Sequence, residues 1–205
     1  MTQPQTRPPR LGIFGGAFDP PHLAHRVLIE AALAQLQLDK IHVIPTGDAW
    51  HKSRALSPAK HRVAMARLAF ADVPGVQIDT REVERDGPSY TIDTLQELRG
   101  DNPTAELFLI IGQDQAASFS HWRDWRAIVE LATICVAARA LAPNQAQPFE
   151  PPEGLQSRFV TLQLPISDIS ATDIRERAAT GQGFDPLVCA PVARYIVLHR
   201  LYQAT

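Results

Sequence analysis

The chain alternates short apolar runs with stretches of helical periodicity, and this alternation limits the fold more than any other feature of the sequence. LGIF (11–14) ends at two glycines, and apolar residues then recur at helical spacing from His22 to about Gln37. KIHVIP (40–45), which is rich in β-branched residues, is predicted to be the next strand. A β–α–β order of this kind predicts a mostly parallel sheet with helices on both faces.

The same rhythm continues to the end of the sequence. Four more apolar segments are predicted strands: VQIDT (76–80), ELFLIIG (106–112), TICVAAR (133–139) and RFVTLQL (158–164). The predicted helices are one that begins at Ser57-Pro58, with serine as N-cap, one over 89–100 closed by Gly100, and others over 114–119, 124–131, 170–181 and 191–202. ELFLIIG, the most apolar strand, is expected at the centre of the sheet. The predicted fold class is α/β, a Rossmann-like doubly wound sheet.

Length and composition favour one domain over residues 11–205, because a chain of 205 residues that is 45% hydrophobic can bury a single sizeable core. The preceding polar segment, residues 1–10, is expected to be a disordered tail rather than a signal peptide, since no apolar segment follows its charges. The proline-rich stretch 144–154 is predicted to be a surface loop.

Charge, hydropathy and cysteine usage argue against binding to nucleic acid, a membrane span and a disulfide framework. A net charge of −2 without a long basic run argues against nucleic-acid binding. No apolar stretch is long enough to span a membrane. Cys135 and Cys189 lie far apart in apolar settings, so they are expected to be core thiols of a protein in the reducing cytoplasm. The oligomeric state cannot be deduced from the sequence.

The segment LGIFGGAFDPPHLAH (11–25) is predicted to bind an anion. A strand, a glycine turn and a helix start present unpaired backbone N–H groups and the positive end of the helix dipole. Gly15 and Gly16 let a ligand approach the backbone, and His22 and His25 lie three residues apart on one face of the first helical turn. Two imidazoles in that position can donate hydrogen bonds to phosphate oxygens, and a neighbouring polyphosphate would favour their charged forms.

Other interpretations of this segment are considered beside the phosphate site. The glycines do not spell GxGxxG, which argues against a redox enzyme that binds a dinucleotide, and no GxxxxGK[ST] phosphate loop is present. The two histidines could form half of a metal site, but the central glutamate of the zincin motif is missing, so no protein-held metal is predicted. Ordinary surface or core histidines remain an alternative.

A second signal is ISATDIRER (169–177). Ser170 and Asp173 have the spacing of a capping box, which by itself marks only a helix start. Arg175 and Arg177 follow within two turns, where the helix dipole disfavours cations. An anion bound at this helix start would explain both arginines. Because the carboxyl ends of parallel strands share one edge of the sheet, this segment, residues 15–25 and IGQD (111–114) are expected to meet in one crevice.

These residues resemble a known superfamily. GGAFDPPHLAH is similar to the nucleotidyltransferase signature GG-T/S-FDP-x-H-x-G-H, and ISATDIRER resembles the second signature, IS-x-T-x-x-R. Three further matches resemble the bacterial nicotinate-nucleotide adenylyltransferases: PSYTIDTL (88–95), FLIIGQD (108–114) and the tryptophan of SFSHW (118–122). The resemblance covers about residues 11–202.

The resemblance implies that ATP and nicotinate mononucleotide react to give deamido-NAD and pyrophosphate, by direct attack of the mononucleotide phosphate on the α-phosphorus of ATP. It implies that Mg²⁺ arrives with ATP, bound chiefly by phosphates and water. It assigns ATP binding to Gly15, Gly16, Ser170, Thr172 and Arg175, and it makes His22 and His25 the catalytic residues that contact the phosphates. It places Asp114 at the ribose or the adjacent phosphate region, and His51 and Lys52 on a loop that closes over the substrates. The helix start near Tyr90 and Thr91 offers free N–H groups for the substrate carboxylate, and Trp122 offers a face on which the pyridine ring can stack.

The sequence departs from the pattern of the family in three places. Ala17 stands where the family has Thr or Ser, and Ala24 stands where it has glycine, so one hydroxyl contact is missing and a close approach at residue 24 is in question. Arg123 replaces the aromatic residue that follows the tryptophan, and it is a candidate second partner for the substrate carboxylate, beside the backbone amides near Thr91. Two alternatives stay open: a nucleotidyltransferase for another mononucleotide, and a nucleotide-binding regulator without activity.

Overall fold

The structure, a computed structural model, describes residues 7–47, 55–139 and 149–203. Its six strands form a single sheet in the order β3-β2-β1-β4-β5-β6, and every neighbouring pair is parallel. The strands are β1 (Arg10–Gly16), β2 (Lys40–Pro45), β3 (Val76–Ile78), β4 (Glu106–Gly112), β5 (Ala132–Arg139) and β6 (Phe159–Leu164). The α/β class and the parallel sheet are therefore confirmed, with β4 beside β1 at the centre.

Helices cover both faces of the sheet. They are α1 (Leu23–Gln35), α2 (Ala59–Phe70), α3 (Arg81–Glu84), α4 (Thr91–Asp101), α5 (Gln113–Ala117), α6 (Trp125–Leu131), α7 (Ala171–Ala179) and α8 (Ala190–Leu198), with short 3₁₀ turns at Phe119–His121, Gln156–Arg158 and Asp185–Leu187. Within the described part of the chain, no helix combines the length and the apolar character that crossing a membrane requires.

Two apolar cores lie on opposite faces of the sheet. Along β1, Leu11 and Ile13 belong to the core beneath α4 and α6, whereas Phe14 belongs to the core beneath α1, α2, α7 and α8. Cys135 lies in the second core, and burial raises the pKa of its thiol to about 12. Cys189 is half-buried and packs against that same core, as expected of a structural thiol.

Several element boundaries differ from the sequence prediction. Ser57 does not cap α2; the N-cap position is Pro58, because the backbone N–H of Ser57 donates to the Asp19 carboxylate and its carbonyl accepts from Arg62. Gly100 does not close α4, which runs one residue further to Asp101 and ends at Asn102. Tertiary contacts outweigh the local capping signal at Ser57, whereas α4 ends at Asn102 because its side-chain amide donates to the carbonyl of Leu98 at 3.1 Å.

The start of the sheet also differs from the predicted boundary between tail and domain. Arg10 is the first residue of β1, and Arg7 forms two hydrogen bonds of 2.8 and 2.9 Å with the carboxylate of Asp39. Residues 7–10 are thus part of the folded structure rather than of a disordered tail, and residues 1–6 lie outside the described ranges.

The order of the strands places one switch point at the centre of the sheet. From β1 the chain winds outward through β2 to β3, and β4 then returns to the other side of β1. In doubly wound sheets a ligand binds at the carboxyl ends of the strands beside such a point. Gly15 and Gly16 end β1 and Gly112 ends β4, so the first signature segment and IGQD lie side by side there, as predicted.

Two arginines hold the end of α6, where the chain turns into β5. Arg158 donates to the carbonyl oxygens of Val129 and Glu130, with Nε 2.8 Å from the first. Arg99 donates from α4 to the carbonyl of Leu131 at 3.1 Å. Cations at the carboxyl end of a helix satisfy its last carbonyls and oppose the negative end of its dipole. This pair of arginines therefore fixes the carboxyl end of α6.

Candidate active site

The two glycines after β1 serve different purposes. A Cβ at Gly15 would have no described heavy atom within 4 Å, so this position faces open space. A Cβ at Gly16 would lie 3.2 Å from the ring of Phe18, which is 2% exposed. Gly15 thus leaves room for a ligand, whereas Gly16 makes room for the Phe18 side chain.

Phe18 anchors the loop between β1 and α1. Its ring packs edge-on against Phe14 and Phe70, with centroids 5.5 and 6.1 Å apart, and against His25 at 5.2 Å. Its φ of 48° is in the left-handed region, which is costly for a residue with a bulky side chain. The burial of the ring holds the loop in this strained conformation and places the start of α1 beside it.

His22 and His25 lie at that start, as the sequence predicted. His22 is the N-cap residue of α1, and the two rings stack with centroids 3.7 Å apart and an interplanar angle of 23°. The backbone N–H of His22 donates to Nδ1 of His25 at 3.2 Å. Because Nδ1 of His25 accepts this bond, the hydrogen of the neutral ring is at Nε2, which makes Nε2 the donor toward a ligand.

The second signature forms the N-terminus of α7, and the structure brings it to the first. Ser170 is the N-cap, and its Oγ accepts a hydrogen bond of 3.1 Å from the backbone N–H of Asp173. Arg175 donates from Nη2 to Thr172 Oγ1 at 3.0 Å and from Nη1 to the carbonyl oxygen of Asp19 at 2.8 Å. The last bond joins α7 to the loop after β1 across 156 residues of sequence.

Arg177 does not need a bound anion to explain it. Its guanidinium lies in the last turn of α7 and pairs with Asp173 one turn earlier, with Nε 2.9 Å from Oδ2. The sequence argument that required an anion for both arginines is therefore wrong for Arg177. Its opposite charge four residues away, together with the carbonyl of Gly183, accounts for its position.

Sequence reasoning missed three residues that hold this region together. Asp19 is 2% exposed, and its carboxylate accepts from the hydroxyl of Tyr202 at 2.7 Å and from the backbone N–H of Ser57 at 3.1 Å. Arg62, also 2% exposed, donates to the carbonyls of Ala17 and Ser57. Asp19 could have drawn attention as a charged residue inside an apolar motif, but Arg62 and Tyr202 are remote in sequence and carry no local signal.

Burial changes the acidity of two of these residues. Burial, together with the nearby Asp19 carboxylate, raises the pKa of Tyr202 well above its ordinary value. Burial lowers the pKa of Arg62, although the negative charge of Asp19 opposes that change. Tyr202 therefore stays a neutral hydroxyl donor over the whole physiological range.

A third group of residues surrounds the N-terminus of α4, next to β4. Tyr90 is the N-cap residue of α4 and Thr91 is its first residue, so the first backbone N–H groups of the helix begin here. The guanidinium carbon of Arg123 lies 4.5 Å from the centre of the Tyr90 ring, a cation–π contact. This contact brings the segment that carries Trp122 to the start of α4.

Trp122 is half-buried, and its ring packs 5.4 Å from that of Phe119, which is 1% exposed. The tryptophan is thus supported by the core but not enclosed in it, as its polar neighbours predicted. Asp114 is exposed in the first turn of α5, directly after β4. His51 and Lys52, which the sequence assigned to a closing loop, lie outside the described residues.

Gly47 shapes the segment that follows β2. A Cβ at this position would lie 1.9 Å from the carbonyl oxygen of Glu82 and 2.9 Å from Ser89 Oγ, so only glycine fits. The carboxylate of Glu82 accepts from Thr94 Oγ1 at 2.9 Å, and burial raises the pKa of this carboxyl. Glu82 thereby ties the segment after β2 to α4, and sequence reasoning had given it no role.

The comparisons agree with this geometry. Residues 13–177 match the family described as cytidylyltransferase-like. A protein of Albidiferax ferrireducens named "Probable nicotinate-nucleotide adenylyltransferase" is 56% identical over 194 residues, which cover 95% of this chain and 98% of that protein. A protein of the same name from Methylibium petroleiphilum is 42% identical, over 94% of this chain and 92% of that protein.

Solved structures share the fold. Plasmodium falciparum nicotinic acid mononucleotide adenylyltransferase, in a structure complexed with NaAD, superposes with a TM-score of 0.75 at 17% identity, over 95% of this chain and 97% of that one. The same enzyme complexed with APC gives a TM-score of 0.74. Together with the sequence relatives and the paired signatures at one end of the sheet, these matches identify the family: the chain is a member of the cytidylyltransferase-like family and, within it, of the nicotinate-nucleotide adenylyltransferases.

Proposed function

We propose that the protein transfers the adenylyl group of ATP to nicotinate mononucleotide, giving deamido-NAD and pyrophosphate, a step of NAD biosynthesis. The observation that carries this proposal is the hydrogen bond of 2.8 Å from Arg175 to the carbonyl of Asp19, because it joins the two phosphate-binding signatures into one site. The relatives that share the family name over nearly the whole chain support the same reaction.

The chemistry needs positioning and charge stabilisation rather than a protein nucleophile. An oxygen of the mononucleotide phosphate attacks the α-phosphorus of ATP, and the bond from that phosphorus to the oxygen bridging to the β-phosphate breaks. The electron pair leaves with pyrophosphate. The attacking phosphate is already an anion at neutral pH, so no general base is required. Negative charge grows on the α- and β-phosphate oxygens, where donors have their largest effect.

Each part of the phosphate site has a role in this proposal. The open space at Gly15 admits the phosphates, and the first N–H groups of α1 face them. His22 and Nε2 of His25 donate to phosphate oxygens. On the other side, Ser170, Thr172 and Arg175 at the start of α7 hold the ATP end. Gly16 acts indirectly, since it accommodates Phe18.

Magnesium is proposed to enter with ATP as the Mg–ATP complex. Among the described residues, no group of three or more His, Cys, Asp or Glu side chains could hold a metal ion. A Mg²⁺ ion that is bound mainly by the phosphates and water needs no such group of protein ligands. When it is bound, the cation neutralises charge on the phosphates. The protein residues orient those phosphates from the two helix starts.

The mononucleotide is proposed to bind at the start of α4. Trp122 offers a supported ring face on which a pyridine ring can stack. The N–H groups near Thr91 bind the substrate carboxylate, and Arg123, held over Tyr90, lies beside them as a second partner. Asp114 contacts the ribose or the adjacent phosphate region. His51 and Lys52 close over the substrates. A cytoplasmic location follows from this biosynthetic role and stays a prediction.

The test is a pyrophosphate-release assay with Mg–ATP and a panel of phosphate acceptors: nicotinate mononucleotide, nicotinamide mononucleotide and phosphopantetheine. We expect release with the nicotinate form and much less with the others. Release with a different acceptor would identify a nucleotidyltransferase of another specificity. Tight ATP binding without pyrophosphate release in the presence of any acceptor would favour the alternative that the protein is an inactive nucleotide-binding regulator. The departures at Ala17 and Ala24 are the reason to consider that alternative. The carbonyl of Ala17 is held by Arg62, so the loop keeps its position without a hydroxyl at this residue.

Arg123→Ala tests the choice between acid and amide. A hydrogen bond to a charged group contributes roughly 1.5–3 kcal/mol, or about ten- to a hundredfold in preference. We expect Arg123→Ala to reduce the preference for the nicotinate form by about tenfold, whereas Trp122→Ala weakens both forms. Arg126→Ala is the matched control, since Arg126 makes an analogous contact with Trp125. Equal use of acid and amide by the unaltered protein would contradict this assignment of the pocket.

A further inference from the structure

Tyr202 is the residue whose placement the proposed reaction does not yet explain. It follows α8 and lies 183 residues from Asp19 in sequence, yet its hydroxyl donates to the Asp19 carboxylate at 2.7 Å. Its ring is partly buried against the core beneath α1, α2, α7 and α8. A hydrogen bond to a carboxylate within a core is a strong one, because the surroundings screen it little.

Strained backbone lies close to both ends of this bond. Tyr202 has a φ of 68°, in the left-handed region, and Phe18, directly before Asp19, has a φ of 48°. Residues with bulky side chains adopt such angles only where the surrounding structure holds them, and such strain clusters at functional sites. The contact between Tyr202 and Asp19 therefore joins two segments that are both held in unusual conformations.

Asp19 also forms hydrogen bonds with other parts of the phosphate site. Its carbonyl accepts from Arg175, and its carboxylate accepts from the backbone N–H of Ser57, next to the start of α2. Arg62 also donates to the carbonyl of Ser57 and to that of Ala17. A single acidic residue thus sets the relative positions of the loop after β1, the start of α2 and the first turns of α7.

We propose that Tyr202 is a positioning residue of the ATP site: its hydroxyl fixes Asp19, and Asp19 in turn fixes the guanidinium of Arg175 and the loop that carries the first signature. The inference rests on the proposed adenylyl transfer and adds to it a residue outside both signatures. Tyr202 touches no substrate in this scheme. It acts through the placement of donors, for which small displacements have large effects on rate.

Tyr202→Phe removes only the hydroxyl and keeps the ring in the core. The matched control is Tyr195→Phe in α8, which removes a hydroxyl that is bonded to His61 Nδ1 at 3.0 Å, outside the Asp19 network. We expect Tyr202→Phe to raise the KM for ATP by about three- to tenfold and to lower kcat by a similar factor, the size of one hydrogen bond to a charged group. The KM for the mononucleotide and both constants of the control should change by less than about twofold.

A double-substitution cycle tests whether the effect passes through Arg175. If Tyr202 acts by placing Arg175, Tyr202→Phe adds little to the KM for ATP in an Arg175→Ala background. Additive effects in this cycle would overturn the proposal. So would Tyr202→Phe kinetics equal to those of the control, or an equal rise of both KM values. A fall in Tm with unchanged kinetic constants would assign Tyr202 to stability alone.

Calorimetric titration with Mg–ATP separates this inference from the proposed function. Weaker ATP binding by Tyr202→Phe, with unchanged binding by Tyr195→Phe, supports the positioning role even if the protein forms no dinucleotide. If the unaltered protein is active and the two variants bind ATP alike, the positioning role is wrong and the proposed function stands.

Discussion

Two aspartates, the buried Asp19 and the half-buried Asp79, show how differently one residue type is used in this fold. Asp79, directly after β3, forms hydrogen bonds with His42 Nδ1 at 3.0 Å and with Arg81 Nε at 3.0 Å. Asp19 accepts from a tyrosine hydroxyl and a backbone N–H, and the neighbouring arginines donate to backbone carbonyls. Asp79 and its partners come from β2, β3 and α3, whereas the contacts of Asp19 extend across most of the sequence.

The difference separates an electrostatic role from a geometric one. Arg81 also reaches Glu97 and Asp101 of α4, so the cluster around Asp79 balances charges at one side of the sheet. Removal of one charge from such a cluster chiefly lowers stability. Removal of Asp19 would leave segments of the phosphate site without their shared acceptor, and the main loss would be in activity. Four substitutions test this contrast, in order of their expected effect on activity.

Asp19→Asn should have the largest effect. An amide of the same size presents N–H₂ to Tyr202 or Ser57, where the carboxylate accepted. We expect kcat/KM for ATP to fall about a thousandfold, since misplacement of donors costs about a hundredfold and the lost charged hydrogen bond about tenfold more. Steady-state kinetics would measure kcat/KM, and chemical denaturation would measure the free energy of unfolding. Full activity with only lowered stability would place Asp19 in the same class as Asp79.

His22→Ala should reduce kcat by about a hundredfold, in line with the loss of one preorganised donor toward charge that grows in the transition state. His22 is partly buried at a helix start and makes little core, so circular dichroism and the midpoint of unfolding should change little. The result would show that a substitution at this end of the sheet can remove activity while the stability of the fold is kept. An equally active variant would return His22 to a purely structural role.

Arg175→Ala should raise the KM for ATP by about tenfold, because one charged donor is lost, and should lower kcat no more than that. Arg177→Ala is the matched control on the same helix, since Arg177 is paired with Asp173. Initial rates over a range of ATP concentrations measure the split between KM and kcat. An unchanged dependence on ATP would remove Arg175 from the site.

Asp79→Asn should have the smallest effect on activity, within about twofold, while it lowers the free energy of unfolding by about 3 kcal/mol at pH 7, because Arg81 and His42 lose a charged partner whose side chain is only 9% exposed. Although burial opposes ionisation, the hydrogen bonds from His42 and Arg81 hold the pKa of Asp79 below its usual value of 3.8.

The depressed pKa of Asp79 fixes the sign of the pH dependence. The ionised carboxylate stabilises the fold fully above pH 3.8, and this contribution is lost as the pH falls below that value. Chemical denaturation of the unaltered protein and of Asp79→Asn, at pH 7 and at pH 3, would measure their free energies of unfolding. The difference between the two free energies should be smaller at pH 3. A constant difference would mean that the charge of Asp79 is not its source.

Much of the fold could be predicted from periodicity alone. The strands from β1 to β6 are apolar runs with β-branched residues, and alternation with helices left a parallel sheet as the solution. The meeting of the two signatures also followed, because it depends only on which ends of the strands carry them. Ser170 as an N-cap is a local property of the sequence, and the structure has that cap.

Most of the errors and omissions arise where residues distant in sequence determine the structure. Ser57 looks like an N-cap, but its backbone is bound by Asp19 and Arg62, so α2 starts later. Arg177 is an exception, because its partner Asp173 is only four residues away and makes a bound anion unnecessary. The contact of Tyr202 with Asp19 joins residues that no local window contains. The individual roles of the proposed substrate contacts remain predictions, since they depend on ligand positions.

The two arginines at the end of α6 have a consequence for the entropy of substrate binding. Arg99 and Arg158 hold successive carbonyls there, and backbone hydrogen bonds from Trp122 to Phe119 and from Trp125 to Trp122 order the segment before the helix. Both parts are therefore ordered by folding. A side chain that is immobilised only on binding costs roughly 0.5–1.5 kcal/mol, and a surface ordered beforehand avoids that cost. If the mononucleotide binds beside Trp122 as proposed, it meets a surface that is already ordered, and we expect its affinity to depend on shape and charge more than on conformational adjustment.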